Sequence, residues 1–197
     1  TKYAITYTSD GNGTVSGADE SASTDKITLT ITPNANYAID TVTYTDNGTE
    51  KTINKDANGN YSFDMPVGAT TVNATFKLAD YEIKFVNTDG TELQSGPVTY
   101  GNTPTYTGAT PTKAADAQYT YTFAGWTPTI APATADATSL ATYSTTTNEY
   151  TVTFTDADGN QLQSGKVAYG TVPTYFFAIL TTSLKFACTS LFMERWQ

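Results

Sequence analysis

The 197-residue chain is acidic, with a net charge of −9, and it contains no His and a single Cys, Cys188. The charge argues against nucleic acids and anionic membranes as partners. The missing His excludes Ser/His/Asp and Cys/His catalysis and zinc sites built on His, and one Cys excludes an internal disulfide. Fourteen Tyr and abundant Thr favour strands. The start at Thr1, without a signal peptide, predicts a processed or excised fragment.

The first module is predicted over residues 1–79 from apolar alternation and turn sequences. The clearest strand is 27–31, where apolar side chains recur at every second position. Turn sequences at 10–13 (DGNG) and 56–59 (DANG) interrupt the alternation. The inward positions predict a core that contains Ile5, Leu29, Ile31, Phe63 and Phe76.

The second module is predicted over residues 80–148. It opens with an alternating strand and a Thr-Asp-Gly turn at 88–90. Residues 112–118 are expected to form one or two helical turns, and 127–138 a loop. Closing strands at 119–126 and 140–143 precede a polar connector at 144–149, which limits hinge motion. The predicted core contains Ile83, Phe85, Leu93, Tyr121, Phe123 and Trp126.

The chain contains an internal sequence repeat. Residues 81–106 (YEIKFVNTDGTELQSGPVTYGNTPTY) and 150–175 (YTVTFTDADGNQLQSGKVAYGTVPTY) align without a gap at an offset of 69, and 14 of 26 positions are identical. A period of this length indicates tandem copies of one small domain. A third, truncated module is therefore predicted over residues 149–175, containing only the opening hairpin.

The repeat stops at Phe176, and residues 176–197 form an apolar tail of different composition. The abrupt change suggests a frameshift, a truncated reading frame or a fusion scar. Lys185 breaks the apolar run, which ends in Glu194 and Arg195, so no membrane span is expected in this fragment. We expect the tail to pack loosely on the hairpin or to be poorly ordered.

The modules resemble the internalin B-type B-repeat family, also called the Listeria–Bacteroides repeat. The resemblance lies in the YTVTF, DADG and VAYG sequences at 150–154, 156–159 and 167–170, and in YTFAGW at 121–126. The first module is similar to divergent members through TITPN at 30–34 and TFK at 75–77. The resemblance implies β-grasp-like modules, mainly β, with antiparallel sheets and little helix, in an extended arrangement.

A calcium site is the strongest ligand hypothesis. Asp156, Asp158 and Asn160 place oxygen atoms at short spacing. The EF-hand pattern needs Gly at loop position six and Glu at position twelve, and neither fits. An Asp-Gly pair between alternating strands is foremost a hairpin turn. We therefore predict no required metal and no cofactor, with these three residues as the weak calcium candidates.

Two further features have a functional and a structural interpretation. The aromatic row Tyr119, Tyr121, Phe123 and Trp126 could form a carbohydrate platform, but its alternation favours core packing. Lys26 and Lys84 lie in predicted strands, where a buried Lys beside Asn or Asp could form an isopeptide crosslink. Nothing in the sequence singles out either Lys.

The resemblance implies extracellular stalk modules of a Gram-positive cell-surface protein, which space a distal region from the cell wall. The partners are then neighbouring repeats, and no enzyme activity is expected. The alternative is an adhesion module that binds a host protein or glycan through exposed Tyr and Thr faces. A third hypothesis is a fragment of a secreted glycan-processing enzyme whose catalytic domain lies elsewhere.

Overall fold

The computed structural model describes residues 1–176, which form strands, turns and loops without a helix. This part of the chain therefore offers no helical membrane span. The prediction of a mainly β chain with antiparallel sheets is confirmed. The β-grasp assignment and the extended arrangement stay predictions. The strands of the first module are β1 (Lys2–Ser9), β2 (Gly13–Ser16), β3 (Glu20–Ala22), β4 (Lys26–Pro33), β5 (Tyr37–Asp46), β6 (Thr49–Thr52), β7 (Tyr61–Asp64) and β8 (Thr70–Leu78).

The first module contains two sheets. One has the strand order β3-β1-β8-β5-β6, and the other has the order β2-β4-β7. Strands β1 and β8 pair in parallel, whereas the other registered pairs of the module are antiparallel. At the β5–β6 turn, Asn47 and Gly48 have φ values of 51° and 81°. Positive φ at both central residues is the requirement of a type I′ hairpin turn, which Asn-Gly meets.

The core of the first module largely matches the prediction. Ile5, Leu29, Phe63 and Phe76 are buried, and Ile31 is partly buried beside them. Period-2 alternation finds these residues because successive side chains of a strand point to opposite faces. Residues outside the prediction complete the buried cluster: Val15, Ile27, Val42, Ile53, Met65, Val72 and Ala74.

The second module contains one mixed sheet of four strands, in the order β10-β9-β12-β11. Strand β10 pairs antiparallel with β9, and β12 pairs parallel with β9. The strands are β9 (Asp80–Val86), β10 (Glu92–Thr99), β11 (Tyr119–Thr127) and β12 (Ala137–Thr147). Strand β12 is longer than the predicted 140–143, so most of the predicted polar connector is strand.

The second core is smaller than the first. Ile83, Phe85 and Ala133 are buried, and the partly buried residues packed against them are Tyr81, Val98, Tyr106, Trp126 and Ile130. The prediction of Ile83, Phe85 and Trp126 is confirmed. Leu93, Tyr121 and Phe123 are half-buried and lie outside this cluster. The sequence pattern missed Ala133 and Ile130 because they lie in a loop, where no periodicity marks the inward positions.

The predicted helical turns at 112–118 are wrong. This segment is irregular, and the backbone N–H groups of Gln118 and Tyr119 donate to the Asp116 carboxylate at 2.8 and 2.7 Å. Asp side chains that bond nearby backbone groups offer an alternative to helical hydrogen bonds. Pro111, which is buried, precedes the segment. The carboxylate therefore stabilises a turn where composition alone suggested a helix.

The third module contains a two-stranded antiparallel hairpin, β13 (Glu149–Thr155) and β14 (Gln161–Ala168). No residue among 149–176 is buried. The predicted tail, residues 176–197, lies outside the described residues except for Phe176, which is 77% exposed.

The chain divides into two compact units. Among the described residues, one contains Thr1–Ala109 and Trp126–Ala141, and the other contains Thr110–Gly125 and residues 142–176. The second module contributes residues to both units. The predicted module boundaries, 1–79, 80–148, 149–175 and 176–197, stay predictions.

Candidate functional site: the module junctions

The calcium candidates form a hydrogen-bonded turn. Asp156 accepts hydrogen bonds from the backbone N–H groups of Asp158 and Asn160 at 3.0 and 2.8 Å. Its second oxygen accepts from the Asn160 side-chain amide at 3.0 Å. The bonds from Asn160 lower the Asp156 pKa. Within residues 1–176, no group of three or more His, Cys, Asp or Glu residues could hold a metal ion. The absence of a metal requirement stays a prediction.

The aromatic row is partly covered. Tyr119, Tyr121, Phe123 and Trp126 are all half-buried. The Tyr121 hydroxyl donates to Asp116 at 2.6 Å, and the Lys113 ammonium lies 3.9 Å from the centre of the Tyr121 ring. A cation over a ring face is an attractive contact that also covers that face. The contacts favour packing over an open carbohydrate platform.

Neither candidate lysine is buried. Lys26 is exposed, and the Lys84 ammonium lies 3.3 Å from Glu92 with 46% of its side chain exposed. An intramolecular isopeptide bond needs a buried Lys beside its partner. The geometry of these two residues therefore does not support such a crosslink.

The most distinctive local geometry lies where one module follows another. Strand β8 ends at Leu78 and β9 begins at Asp80, so Ala79 alone connects them. Strand β12 ends at Thr147 and β13 begins at Glu149, so Asn148 alone connects them. The two connectors lie 69 residues apart, which is the repeat period. A connector of one residue leaves few backbone dihedrals free.

Each connector is held by the module that follows it. The backbone N–H of Tyr100 donates to the Ala79 carbonyl, and that of Tyr169 donates to the Asn148 carbonyl, both at 2.8 Å. The Tyr81 and Tyr100 rings lie 6.4 Å apart, and the equivalent Tyr150 and Tyr169 rings lie 6.5 Å apart. Aromatic pairs prefer tilted contacts at such centroid distances. The contacts between the connector and the module that follows it are therefore the same at both junctions.

Each connector is also held by the preceding module. The N–H of Ala79 donates to the Asn36 carbonyl, and the N–H of Asn148 donates to the Gln118 carbonyl, both at 2.8 Å. Asn36 comes directly before β5, and Gln118 directly before β11. Strand β5 neighbours β8 as β11 neighbours β12, so the two bonds are topologically equivalent.

The junction at Asn148 has additional side-chain contacts. The Asn148 amide donates to the Asp116 carbonyl and its amide oxygen accepts from the Thr120 hydroxyl, both at 2.7 Å. The Tyr150 hydroxyl donates to the Ala117 carbonyl at 2.6 Å. The first connector is Ala79, whose methyl group offers no such bonds. The Asn148 junction therefore has side-chain hydrogen bonds that the Ala79 connector cannot make.

Asp116 organises the segment that receives Asn148 and Tyr150. Its carboxylate accepts from the Tyr121 hydroxyl and from the N–H groups of Gln118 and Tyr119. The hydrogen bond from Tyr121 is the largest of the causes that lower the Asp116 pKa, and the same bond raises the Tyr121 pKa. These groups fix the backbone geometry of the segment.

A pair of hydrogen bonds made by one Gln side chain, here called the glutamine clamp, also occurs in both repeats. The Gln94 side chain donates to the Thr105 carbonyl at 2.9 Å and accepts from the N–H of Thr107 at 2.8 Å. Gln163 makes the same pair of bonds, to the Thr174 carbonyl at 3.4 Å and from the N–H of Phe176 at 3.1 Å. The amide thus holds the irregular segment that follows the hairpin in both repeats.

The strands and junctions define the class of protein: small β modules joined in tandem. Residues 3–80 match the family model of the divergent InlB B-repeat domain. The match confirms the prediction of a divergent B-repeat-like first module. No curated protein sequence matches the chain.

One solved structure resembles the chain at low similarity. It is described as Streptococcal High Identity Repeats in Tandem (SHIRT) domains 3-4 from cell surface protein. The sequences are 17% identical, the TM-score is 0.30, and the match covers 75% of this chain and 99% of that chain.

Proposed function

We propose that this chain is a spacer segment of a bacterial cell-surface protein. In this role, its modules hold a distal functional region away from the cell wall. The match of residues 3–80 to the divergent B-repeat domain supports this proposal. Repeats of this kind are typically structural modules, and we propose no catalytic role for the chain.

The observation that carries the proposal is the parallel pairing of the first and last strands of a module. Ile5 lies opposite Thr70, and Ser9 lies opposite Ala74, in the β1–β8 register. Lys2 lies three residues before Ile5, and Leu78 lies eight residues after Thr70, so eleven residue steps separate them along the strands. At about 3.3 Å per residue, the module advances the chain by roughly 35 Å.

The one-residue connectors support the same role. A spacer sets distance only if successive modules do not fold back freely on each other. Ala79 and Asn148 each bond to the modules on both sides, which restricts that freedom. The net charge of −9 also favours a chain that stays soluble and does not associate with itself.

Distances across the second junction test the spacing mechanism. Spin labels at Thr122→Cys and Thr151→Cys, in a Cys188→Ser background, report on the second and third modules. We expect one narrow distance distribution, and a broad one after a Gly-Ser segment is inserted behind Asn148. A native distribution as broad as that of the insertion variant would contradict the proposal.

Surface exposure in cells tests the location. Antibodies raised against residues 1–148 should label intact cells of the source bacterium. Labelling that appears only after the cells are lysed would reject a cell-surface role.

Adhesion is the second candidate, and one observation favours it. Among residues 1–176, half of the exposed large hydrophobic side chains lie in the third module (Tyr150, Leu162, Tyr169 and Val172), and Phe176 directly follows it. Tyr side chains are frequent in the energetic centres of interfaces, and exposed apolar patches often mark interaction sites. Binding to host matrix proteins or to a glycan array should then be lost in a Tyr169→Ala variant and retained in Tyr3→Ala. Equal binding by both variants would reject this surface.

A further inference from the structure

We propose that the first and second modules bear mechanical load, and that the parallel pairing of each module's first and last strands is the element that resists it. The inference rests on the proposed spacer function, because a surface spacer is pulled whenever its distal end is held. The strand registers determine the direction in which the hydrogen bonds are loaded.

In the first module, tension applied to the two ends slides β1 along β8. Five consecutive residue pairs, from Ile5–Thr70 to Ser9–Ala74, lie in this interface. Because the two strands are pulled in opposite directions along their own axes, the bonds of the interface are strained together. Strand β8 is also anchored between β1 and β5, and its Val72 and Ala74 side chains are fully buried.

Side chains reinforce this interface. The Thr8 hydroxyl lies 3.3 Å from the Val72 carbonyl and 3.0 Å from the Asn73 side-chain oxygen, so it can donate to either. The N–H of Phe76 donates to the Asp10 carboxylate at 2.9 Å, and this bond is the largest of the causes that lower the Asp10 pKa. These contacts join β1 and its following turn to β8, so they resist the same sliding motion.

The second module repeats the arrangement with different residues. Strand β12 pairs in parallel with β9 over four residue pairs, from Ala137–Ile83 to Leu140–Val86. The N–H of Glu82 donates to the Asp136 carboxylate at 2.8 Å, directly before these pairs. Tension between the start of β9 and the end of this pairing therefore also loads the bonds in shear.

The hairpin of the third module is loaded in a different direction from the parallel strand pairs of the first two modules. Its strands β13 and β14 are antiparallel, and Glu149 lies opposite Ala168 at the open end of the hairpin. Tension applied at these two residues separates the strands one pair at a time. In this geometry each hydrogen bond carries the load alone, so the hairpin opens at lower force than a sheared pair.

Single-molecule force spectroscopy on the full chain tests the proposal within one module. Handles at Asp80→Cys and Leu140→Cys, with Cys188→Ser, load β9 and β12 in shear. Handles at Asp80→Cys and Thr99→Cys, in the same background, unzip β10 from β9, because residues 80 and 99 lie opposite each other. Both variants lose the Asp80 carboxylate, so they are matched for its hydrogen bond with Thr99.

We expect a rupture force several-fold higher for the shear handles than for the unzipping handles. The length released identifies the event: up to about 210 Å for the 61 residues from 80 to 140, and about 70 Å for the 20 residues from 80 to 99. Equal rupture forces in the two geometries would overturn the proposal. That result would leave the spin-label distances across Asn148 unchanged, so it is distinguishable from failure of the spacer function.

Discussion

The second and third repeats share their local structure and differ in their core. Both hairpins have an irregularity in register at the same place. Gln94 lies opposite Phe85 and Glu92 lies opposite the next residue, Val86, so one residue of β10 is skipped. The equivalent residues of the third module show the same shift: Gln163 opposite Phe154, and Gln161 opposite Thr155. Both carry the glutamine clamp. The Phe85 and Tyr106 rings lie 5.4 Å apart, and so do the equivalent Phe154 and Tyr175 rings. The shared 26-residue sequence thus specifies the hairpin and its first aromatic pair.

The difference between the repeats lies in the residues that follow. In the second module, Trp126 contacts Phe85 and Tyr106 at ring distances of 4.8 and 5.0 Å, and Phe85 is 1% exposed. In the third module, Phe154 is only half-buried. A two-stranded hairpin is marginally stable alone, and further strands or packing are needed for independent stability. The comparison indicates that the repeated sequence determines local geometry, and it predicts that the closing strands supply most of the stability.

The largest expected effect separates Phe85 from Phe154. Phe85→Ala should destabilise the second module by about 3 to 5 kcal/mol, because it leaves a cavity in a closed core. Phe154→Ala should cost less than about 1 kcal/mol, because its side chain is only half-buried and no closed core surrounds it. Chemical denaturation followed by residue-resolved NMR measures both effects.

The first module serves as the control for both Phe variants. Serial modules couple mainly through their junctions, so its transition should be nearly unchanged by Phe85→Ala. A single all-or-none transition that shifts as a whole would contradict the predicted independence of the modules.

Removing Trp126 should make the second module resemble the third. Trp126→Ala removes the ring that contacts both Phe85 and Tyr106, and we expect a loss of about 2 to 3 kcal/mol because the indole is only half-buried. The hairpin of β9 and β10 should persist in NMR spectra, with a more accessible Phe85. If the hairpin is lost together with the core, its sequence does not specify the local structure, and the comparison fails.

A smaller effect is expected at the second junction. Asn148→Ala removes the side-chain bonds to Asp116 and Thr120 and keeps the backbone bonds, so we expect a cost of about 1 to 2 kcal/mol. Spin-label distances across the junction should broaden. Thr147→Ala, at the exposed neighbouring position, is the matched control and should leave the distribution unchanged. Equal behaviour of the two variants would show that the Asn148 side chain does not fix the junction.

The smallest effect is a loss of junction order in acid. The Asp116 pKa is lowered in the folded chain, first by the hydrogen bond from Tyr121. The stabilisation is therefore present above the unfolded Asp pKa of about 3.9, and is lost as the pH falls through the lower folded value. NMR titration of the carboxyl carbon should show this lowered pKa. In Tyr121→Phe, the Asp116 pKa should move back towards the unfolded value, and an unchanged pKa would contradict the assigned cause.

Part of this structure was predictable from the sequence because its signals are local. Alternation in 27–31 and 119–126 identified strands, and the turn sequences placed several hairpins. The repeat identified the third hairpin, because identical local sequence produces the same register. The core residues Ile5, Phe63, Ile83 and Phe85 followed from alternation alone.

The remaining features depend on contacts between distant residues. Parallel pairing of β1 with β8 joins residues 65 positions apart in sequence, which no local pattern encodes. The junction contacts of Asn148 depend on the irregular segment around Asp116, where a helix was predicted. Strands β3 and β6 are short and largely polar, so their alternation is too weak to mark them.

Amide hydrogen exchange tests the difference between the second and third modules most directly. Protection reports the free energy of the opening that exposes each hydrogen bond. We predict that amides of β9 at Ile83 and Phe85 exchange orders of magnitude more slowly than the equivalent amides of β13 at Val152 and Phe154. Equal protection at these matched positions would contradict the account, because the third hairpin would then be as stable as a closed module.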